Sequence, residues 1–184
     1  VTDDLRILDC SYPCSGSTSV LLASENVASK FSDQPVWISG IGQKTNSASF
    51  AKNELTELTT SVIASRDAYK MAKTSASHID VAEIHDAFTV CELMAVKDLG
   101  FSENISGADY VRNLFHTENR KINPRGGLIG AGHPLGATGI AQIMEITLQL
   151  QNKAKKRQVD RANKGLIHNM SAAATSSTVL ILES

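Results

Sequence analysis

The sequence predicts an α/β domain in which a mixed sheet of about five strands is covered by helices. Three observations predict it. Short β-branched runs alternate with longer stretches of helical periodicity. Polar and small residues gather where strand-like runs give way to helical ones. The chain closes on two apolar runs joined by the small residues 171–177, which reads as a hairpin.

Each element follows from its local pattern. Residues 18–23 read as a strand, 25–31 as a short helix and 36–42 as a second strand. Residues 54–73 place Leu55, Leu58, Val62, Ile63, Ala68, Tyr69 and Met71 at helical spacing among polar residues, which predicts a long amphipathic helix. Residues 81–85 form a short buried strand, and a helix over 88–99 ends at Gly100, a residue suited to the C′ position. Residues 101–120 are mixed in character and read as a loop with one helical turn. A glycine-rich loop follows, then a helix carrying Ile140, Ile143, Met144, Ile146, Leu148 and Leu150, and closing strands at 165–169 and 178–183.

Length and composition fit a single globular domain over 1–184: 42% of residues are hydrophobic and 20% charged. A formal net charge of −1 gives no electrostatic footprint for nucleic acid. No apolar run is long enough to span a bilayer, and residues 1–8 carry no signal-peptide pattern, so a cytoplasmic protein is expected. Cys10, Cys14 and Cys91 are an odd number in a chain that needs no disulfide staples, and read as free, small, buried side chains. Their spacing is not that of a zinc site, so no metal is expected.

Three segments carry chemistry. The first is Asn-Pro-Arg-Gly-Gly-Leu-Ile-Gly-Ala-Gly-His-Pro-Leu-Gly-Ala-Thr-Gly over residues 123–139, which sets His133 among glycines just before a helix. The second is Glu83-Ile84-His85-Asp86-Ala87-Phe88, where a strand runs into a helix at the edge at which α/β proteins bind ligands. The third is Gly165-Leu166-Ile167-His168-Asn169-Met170-Ser171-Ala172-Ala173-Ala174, a strand entering small residues that leave main-chain N–H groups accessible.

Together and in this order the three segments resemble the C-terminal half of a thiolase, most closely the sterol-carrier-protein and archaeal acetyl-CoA acetyltransferase branch, which has His-Asp-x-Phe where other thiolases have Asn-Glu-Ala-Phe. Residues 5–10, Leu-Arg-Ile-Leu-Asp-Cys, and the stretch 15–23 extend the resemblance over nearly the whole chain. It implies a thiolase-like C-terminal domain and an acyltransferase acting on CoA thioesters in lipid metabolism. A cysteine of an N-terminal half, absent from these residues, would be acylated. His133 would activate that cysteine and share oxyanion duty with His85, Gly132 and Ala172 would be the cofactor-binding positions for the CoA thioester, and main-chain N–H groups near Ala172 would form a second oxyanion site. Acyl-CoA is then the substrate, no metal or redox cofactor is required, and a homo-oligomer is expected.

The sequence departs from that pattern in two ways: the nucleophile-bearing N-terminal half is absent from these residues, and so is a second cysteine. The second cysteine of thiolases, an acid/base group, stands in His-Asp-Cys-Phe or in a late Cys-x-Gly. Here those places hold Ala87, and Met170 with Ala172. Cys91, one helical turn beyond Ala87, is a possible substitute. Without a shuttle, a decarboxylating ketosynthase or an aldolase is an alternative chemistry, and a non-catalytic acyl-CoA-binding, lipid-binding or scaffold protein is an alternative of a different class.

Other polar residues have plainer readings. His168 and Asn169 would hold the last loop through the backbone. Asp86 reads as an N-cap or first-turn carboxylate and the cations Lys153, Lys155, Lys156 and Arg157 as a solvated helix end. Met144 and Ile146 read as core, and His78 and His116 carry no role.

Overall fold

A computed structural model describes residues 3–117 and 120–184. In chain order the helices and strands are α1 (Glu25–Ala28), β1 (Trp37–Thr45), α2 (Thr59–Ala72), β2 (Val81–Glu83), α3 (Thr89–Asp98), α4 (Gly107–Leu114), α5 (Gly127–Ala131), α6 (Thr138–Leu150), β3 (Lys164–Met170) and β4 (Ser176–Glu183). The sheet has the order β1-β4-β3-β2. β2 runs parallel to β3, and the other two pairs are antiparallel. Among the described residues no helix is long and apolar enough to cross a membrane.

The sheet has four strands rather than five. Residues 18–23 form no strand; they run irregularly along the surface with Leu21 72% and Leu22 76% exposed. A strand needs a partner for its N–H and C=O groups, and no strand pairs with this segment among the described residues. The helix expected over 54–73 begins only at Thr59, where the Asp98 carboxylate accepts the Leu58 N–H at 2.6 Å. The helix before Gly100 ends as expected, with that residue at φ +88°. Residues 101–120 hold a proper helix, α4, capped by Ser106, whose hydroxyl accepts the Asp109 N–H.

Strand alternation divides the core in two. Ala82, Leu166, Val179 and Ile181 pack on one face with Ala64 and Ala68 of α2 and Ala95, Val96 and Leu99 of α3. Val81, Ile167 and Leu182 pack on the other with Ile146 and Leu150 of α6. The same alternation decides the fate of two adjacent polar residues of β3. His168 faces α2 and is fully buried, whereas Asn169 faces α6.

The apolar stripe read on the last long helix does not all point inward. The face of α6 that is fully shielded carries Gln142, Glu145 and Gln149 beside Ile146, while Met144 is 37% exposed. Polar residues are tolerated there because each has partners. Gln142 Nε2 donates to His168 O at 3.2 Å, Glu145 pairs with Arg157 at 2.8 Å, and Gln149 bonds Glu145, Arg157 O and Val159 N. Arg157 is therefore engaged by a buried carboxylate rather than merely solvated.

Candidate active site

The parallel pairing of β2 and β3 brings their carboxyl ends to one edge of the sheet, and α6 starts beside it. Here lies a cavity of about 630 Å³ whose walls include His85, His133, Ala87, Phe88, Cys91, Asn169, Met170 and the turn at Ala172 and Ala173. The three sequence segments thus converge on one space. Its two imidazoles meet edge to face, ring centroids 5.2 Å apart and planes at 85°.

His133 is aimed from both sides. Its main-chain N–H donates to Tyr12 O at 3.0 Å, and its ring Nδ1 lies 2.7 Å from the hydroxyl of Thr138, the first residue of α6. The Thr138 hydroxyl donates to Pro134 O at 3.2 Å. Assigning that hydrogen to Pro134 O gives Nδ1 the hydrogen between His133 and Thr138 and leaves a free lone pair on Nε2. Partial burial holds the His133 ring below the ordinary imidazole range, so it is neutral near pH 7.

His85 has the opposite tautomer. Asn169 Nδ2 lies 3.1 Å from His85 Nδ1 and 3.0 Å from Gln142 Oε1, one amide hydrogen serving each acceptor. The amide of Gln142 is itself oriented by its bond to His168 O. Nδ1 of His85 therefore accepts, and Nε2 bears the hydrogen. Burial, with a smaller contribution from the neighbouring His133, pushes the His85 pKa down to about 4. A neutral donor and a neutral acceptor stand side by side.

Asp86 caps a helix, but not the one that follows it. Its Oδ1 accepts the Leu128 N–H of α5 at 2.6 Å, tying the second motif to the glycine-rich loop. Burial raises its pKa to about 6, against the hydrogen bonds from α5. Beneath it Glu83 is wholly buried, pushed up to about 7 by burial, and faces Arg125 at 3.7 Å, with the Arg125 N–H on its other oxygen at 3.1 Å.

Gly132 is buried against Cys14, where a Cβ would come within 2.7 Å of the sulfur, and its φ of +84° turns the chain into His133. It shapes the loop and is not on the cavity wall; Ala172 is. All three cysteines are half-buried rather than buried, and Cys91 reaches the cavity, where burial pushes its thiol pKa up. The sequence motif suggests for Asn169 only a loop-holding role and for Thr138 and Gln142 none; the period of two across His168 and Asn169 is the signal that separates the cavity residue from the core residue. Among the described residues no group of three or more His, Cys, Asp or Glu side chains could hold a metal ion.

Residues 42–184 match the family model described as thiolase C-terminal domain-like. The chain is 39% identical over 184 residues to the acetyl-CoA acetyltransferase of Methanothermobacter thermautotrophicus, covering 98% of this chain and 48% of that protein. It is 36% identical to sterol carrier protein 2 of Homo sapiens, covering 92% of this chain and 32% of that one. A solved structure, the Ltp2-ChsH2(DUF35) aldolase, matches in fold with a TM-score of 0.83 at 18% identity, over 100% of this chain and 48% of its own. The chain spans about half the length of the acetyltransferase it matches. With that match running through the loop of His133 and the carboxyl end of β3, the chain belongs to the thiolase C-terminal domain-like family.

Proposed function

We propose that this chain is the C-terminal half of a thiolase-like acyltransferase that makes or breaks a carbon–carbon bond in a CoA thioester. The observation that carries the reading is the meeting of two imidazoles on one cavity, His85 and His133 with ring centroids 5.2 Å apart; their hydrogen bonds to Asn169 and Thr138 assign them complementary tautomers, an Nε2–H on His85 and a bare Nε2 on His133. In the forward sense of cleavage, His133 takes the proton of a cysteine thiol supplied by an N-terminal half. The thiolate adds to the ketone carbonyl of a 3-ketoacyl-CoA, and His85 Nε2–H donates to the oxyanion that forms. Main-chain N–H groups near Ala172 serve the second thioester oxygen. The broken bond leaves an acyl group on sulfur and an enolate of acetyl-CoA, which takes the proton held on His133; free CoA then gives its thiol proton to His133 and takes the acyl group, and that proton returns to the released cysteine thiolate.

A partner half is supported by the outer surface of α6. Met144 and Leu148, with Leu21, Leu22 and Trp37, line an apolar groove of about 550 Å³ on the far side of that helix. Such a groove suits cover by another folded unit, and the acetyltransferase relative has the length for one.

The test is acetoacetyl-CoA cleavage by the full-length protein with CoA. Turnover abolished by His133→Ala, and reduced roughly 10²- to 10³-fold by His85→Ala, is the expected result. No turnover in the unaltered protein, with acetyl-CoA still bound, would replace this reading by a non-catalytic acyl-CoA-binding module.

A second reading has its own observation. Ala87 and Met170 face the cavity where a thiolase would place its proton-shuttling cysteine, and the Cys91 thiol, its pKa raised by burial, is a poor base. A retro-aldol reaction on a 3-hydroxyacyl-CoA needs a base for the hydroxyl alone, which His133 supplies, since the broken bond itself provides the carbanion. Release of a ketone or aldehyde from such a substrate, with no cleavage of acetoacetyl-CoA, would select it.

A further inference from the structure

Behind the cavity runs a chain of hydrogen bonds that the chemistry of its last acceptor makes directional. Thr60 Oγ1 donates to Ala174 O at 2.6 Å, and a carbonyl only accepts. The 2.7 Å bond between Thr60 and Ser177 must then take its hydrogen from Ser177, and the 2.9 Å bond between Ser177 and Ser61 from Ser61. Ser61 in turn accepts from His168 Nε2 at 2.9 Å. That leaves His168 Nδ1 bare, and the main-chain N–H of His85 points to it at 3.5 Å.

Every link is sealed from water: Thr60 is 2% exposed, Ser177 1%, and Ser61 and His168 0%. Burial, with His85 adding to it, holds the His168 pKa down to about 3, so the ring stays neutral and keeps one hydrogen for the chain. The two ends of the chain are both at the site. One is the backbone of His85; the other is the Ala172–Ala174 turn, where Ala173 and Ala174 adopt left-handed φ values of 56° and 50°. Non-glycine residues hold that conformation only when the surroundings over-determine it.

We infer that His168, Ser61, Ser177 and Thr60 are positioning residues whose directional relay fixes the Ala172–Ala174 turn in register with His85, and so aligns the two oxyanion donors. This rests on the catalytic reading above. The relay explains why a fully buried histidine stands within β3, and why Thr60 and Ser61 of the first turn of α2 turn their hydroxyls into the dry interior.

Thr60→Val keeps the shape and removes the terminal hydroxyl; Thr60→Ser keeps the hydroxyl. In the full-length protein, kcat for acetoacetyl-CoA cleavage falls about tenfold or more in Thr60→Val with KM within about twofold, and Thr60→Ser stays within about threefold of the parent. Histidine ¹⁵N resonances report the Nε2–H tautomer for His168 in the parent and in Thr60→Ser, and admixture of the Nδ1–H form in Thr60→Val. Should Thr60→Val not fold, Ser177→Ala takes its place with the same expectations. Equal kcat in the valine and serine variants, or an Nδ1–H tautomer in the parent, overturns the relay. A parent without turnover overturns the catalytic reading instead, and the tautomer then judges the relay by itself.

Discussion

The Asn169 amide donates to His85 Nδ1 across 3.1 Å, and this one bond decides which ring nitrogen of His85 faces the cavity as a donor. Asn169→Asp replaces the donor by an acceptor. Nδ1 must then carry the hydrogen, the neutral ring presents a lone pair to the cavity, and the carboxylate favours imidazolium. The His85 pKa rises from about 4 towards or above the ordinary range, and kcat at neutral pH falls roughly 10²-fold. An NMR titration of His85 beside steady-state kinetics checks both halves.

Thr138 does the corresponding work for His133. Thr138→Val removes the hydroxyl that bonds Nδ1 at 2.7 Å and Pro134 O at 3.2 Å, so the ring loses its orientation and its tautomer. Activity drops roughly 10- to 100-fold, by analogy with other partners that orient a reacting imidazole. Stability falls by about 1 kcal/mol, and Thr138→Ser retains most of both. Kinetics and thermal unfolding of the three proteins separate the two effects.

Glu92 gives the fold a pH dependence of unusual sign. Burial, with Asp86 nearby, raises its pKa from 4.5 to about 7. The folded state therefore binds a proton more tightly than the unfolded chain does. Its contribution is fully present below pH 4.5 and is lost as pH rises through 7. Glu92→Gln removes that loss. Because the side chain is only partly shielded, the variant gains on the order of 1–2 kcal/mol over the parent between pH 5 and pH 8. Denaturant unfolding at the two pH values reads the difference; a gap that shrinks with pH contradicts the assignment.

His85 and His168 act in the opposite direction, their folded values being depressed to about 4 and about 3. Stability from these two is present above pH 6.5 and lost as pH falls towards 3. An acid limb that persists in Glu92→Gln is the expected outcome, measurable in the same titration.

Ala173 sits at φ 56°, ψ 24° in the turn on the cavity wall. A Cβ in that conformation costs about 1 kcal/mol, partly offset by the extra freedom of an unfolded glycine. Ala173→Gly raises stability by about 0.5 kcal/mol, and its melting temperature does not fall.

The motifs around His85 and His133, and the turn at Ala172, were legible because each combines a rare residue type with a strand-to-helix or glycine setting. Their convergence on one cavity follows from the parallel pairing of β2 with β3. What eluded the sequence depended on neighbours distant in the chain. Gln142 looks like a solvent residue until His168 O and Asn169 are placed beside it. Residues 18–23 have strand composition, but composition supplies no pairing partner. Helical spacing sets Cys91 one turn beyond Ala87, but whether that turn faces core or cavity is decided by the packing of α3.

Adjacent residues of β3 serve opposite sides of the sheet, His168 within the relay and Asn169 against His85. A deletion of one residue inside that strand would exchange them, sending an amide into the dry interior and an imidazole towards the substrate. The number of residues in β3 is therefore as tightly constrained as their identity, because each added or lost residue turns the strand over.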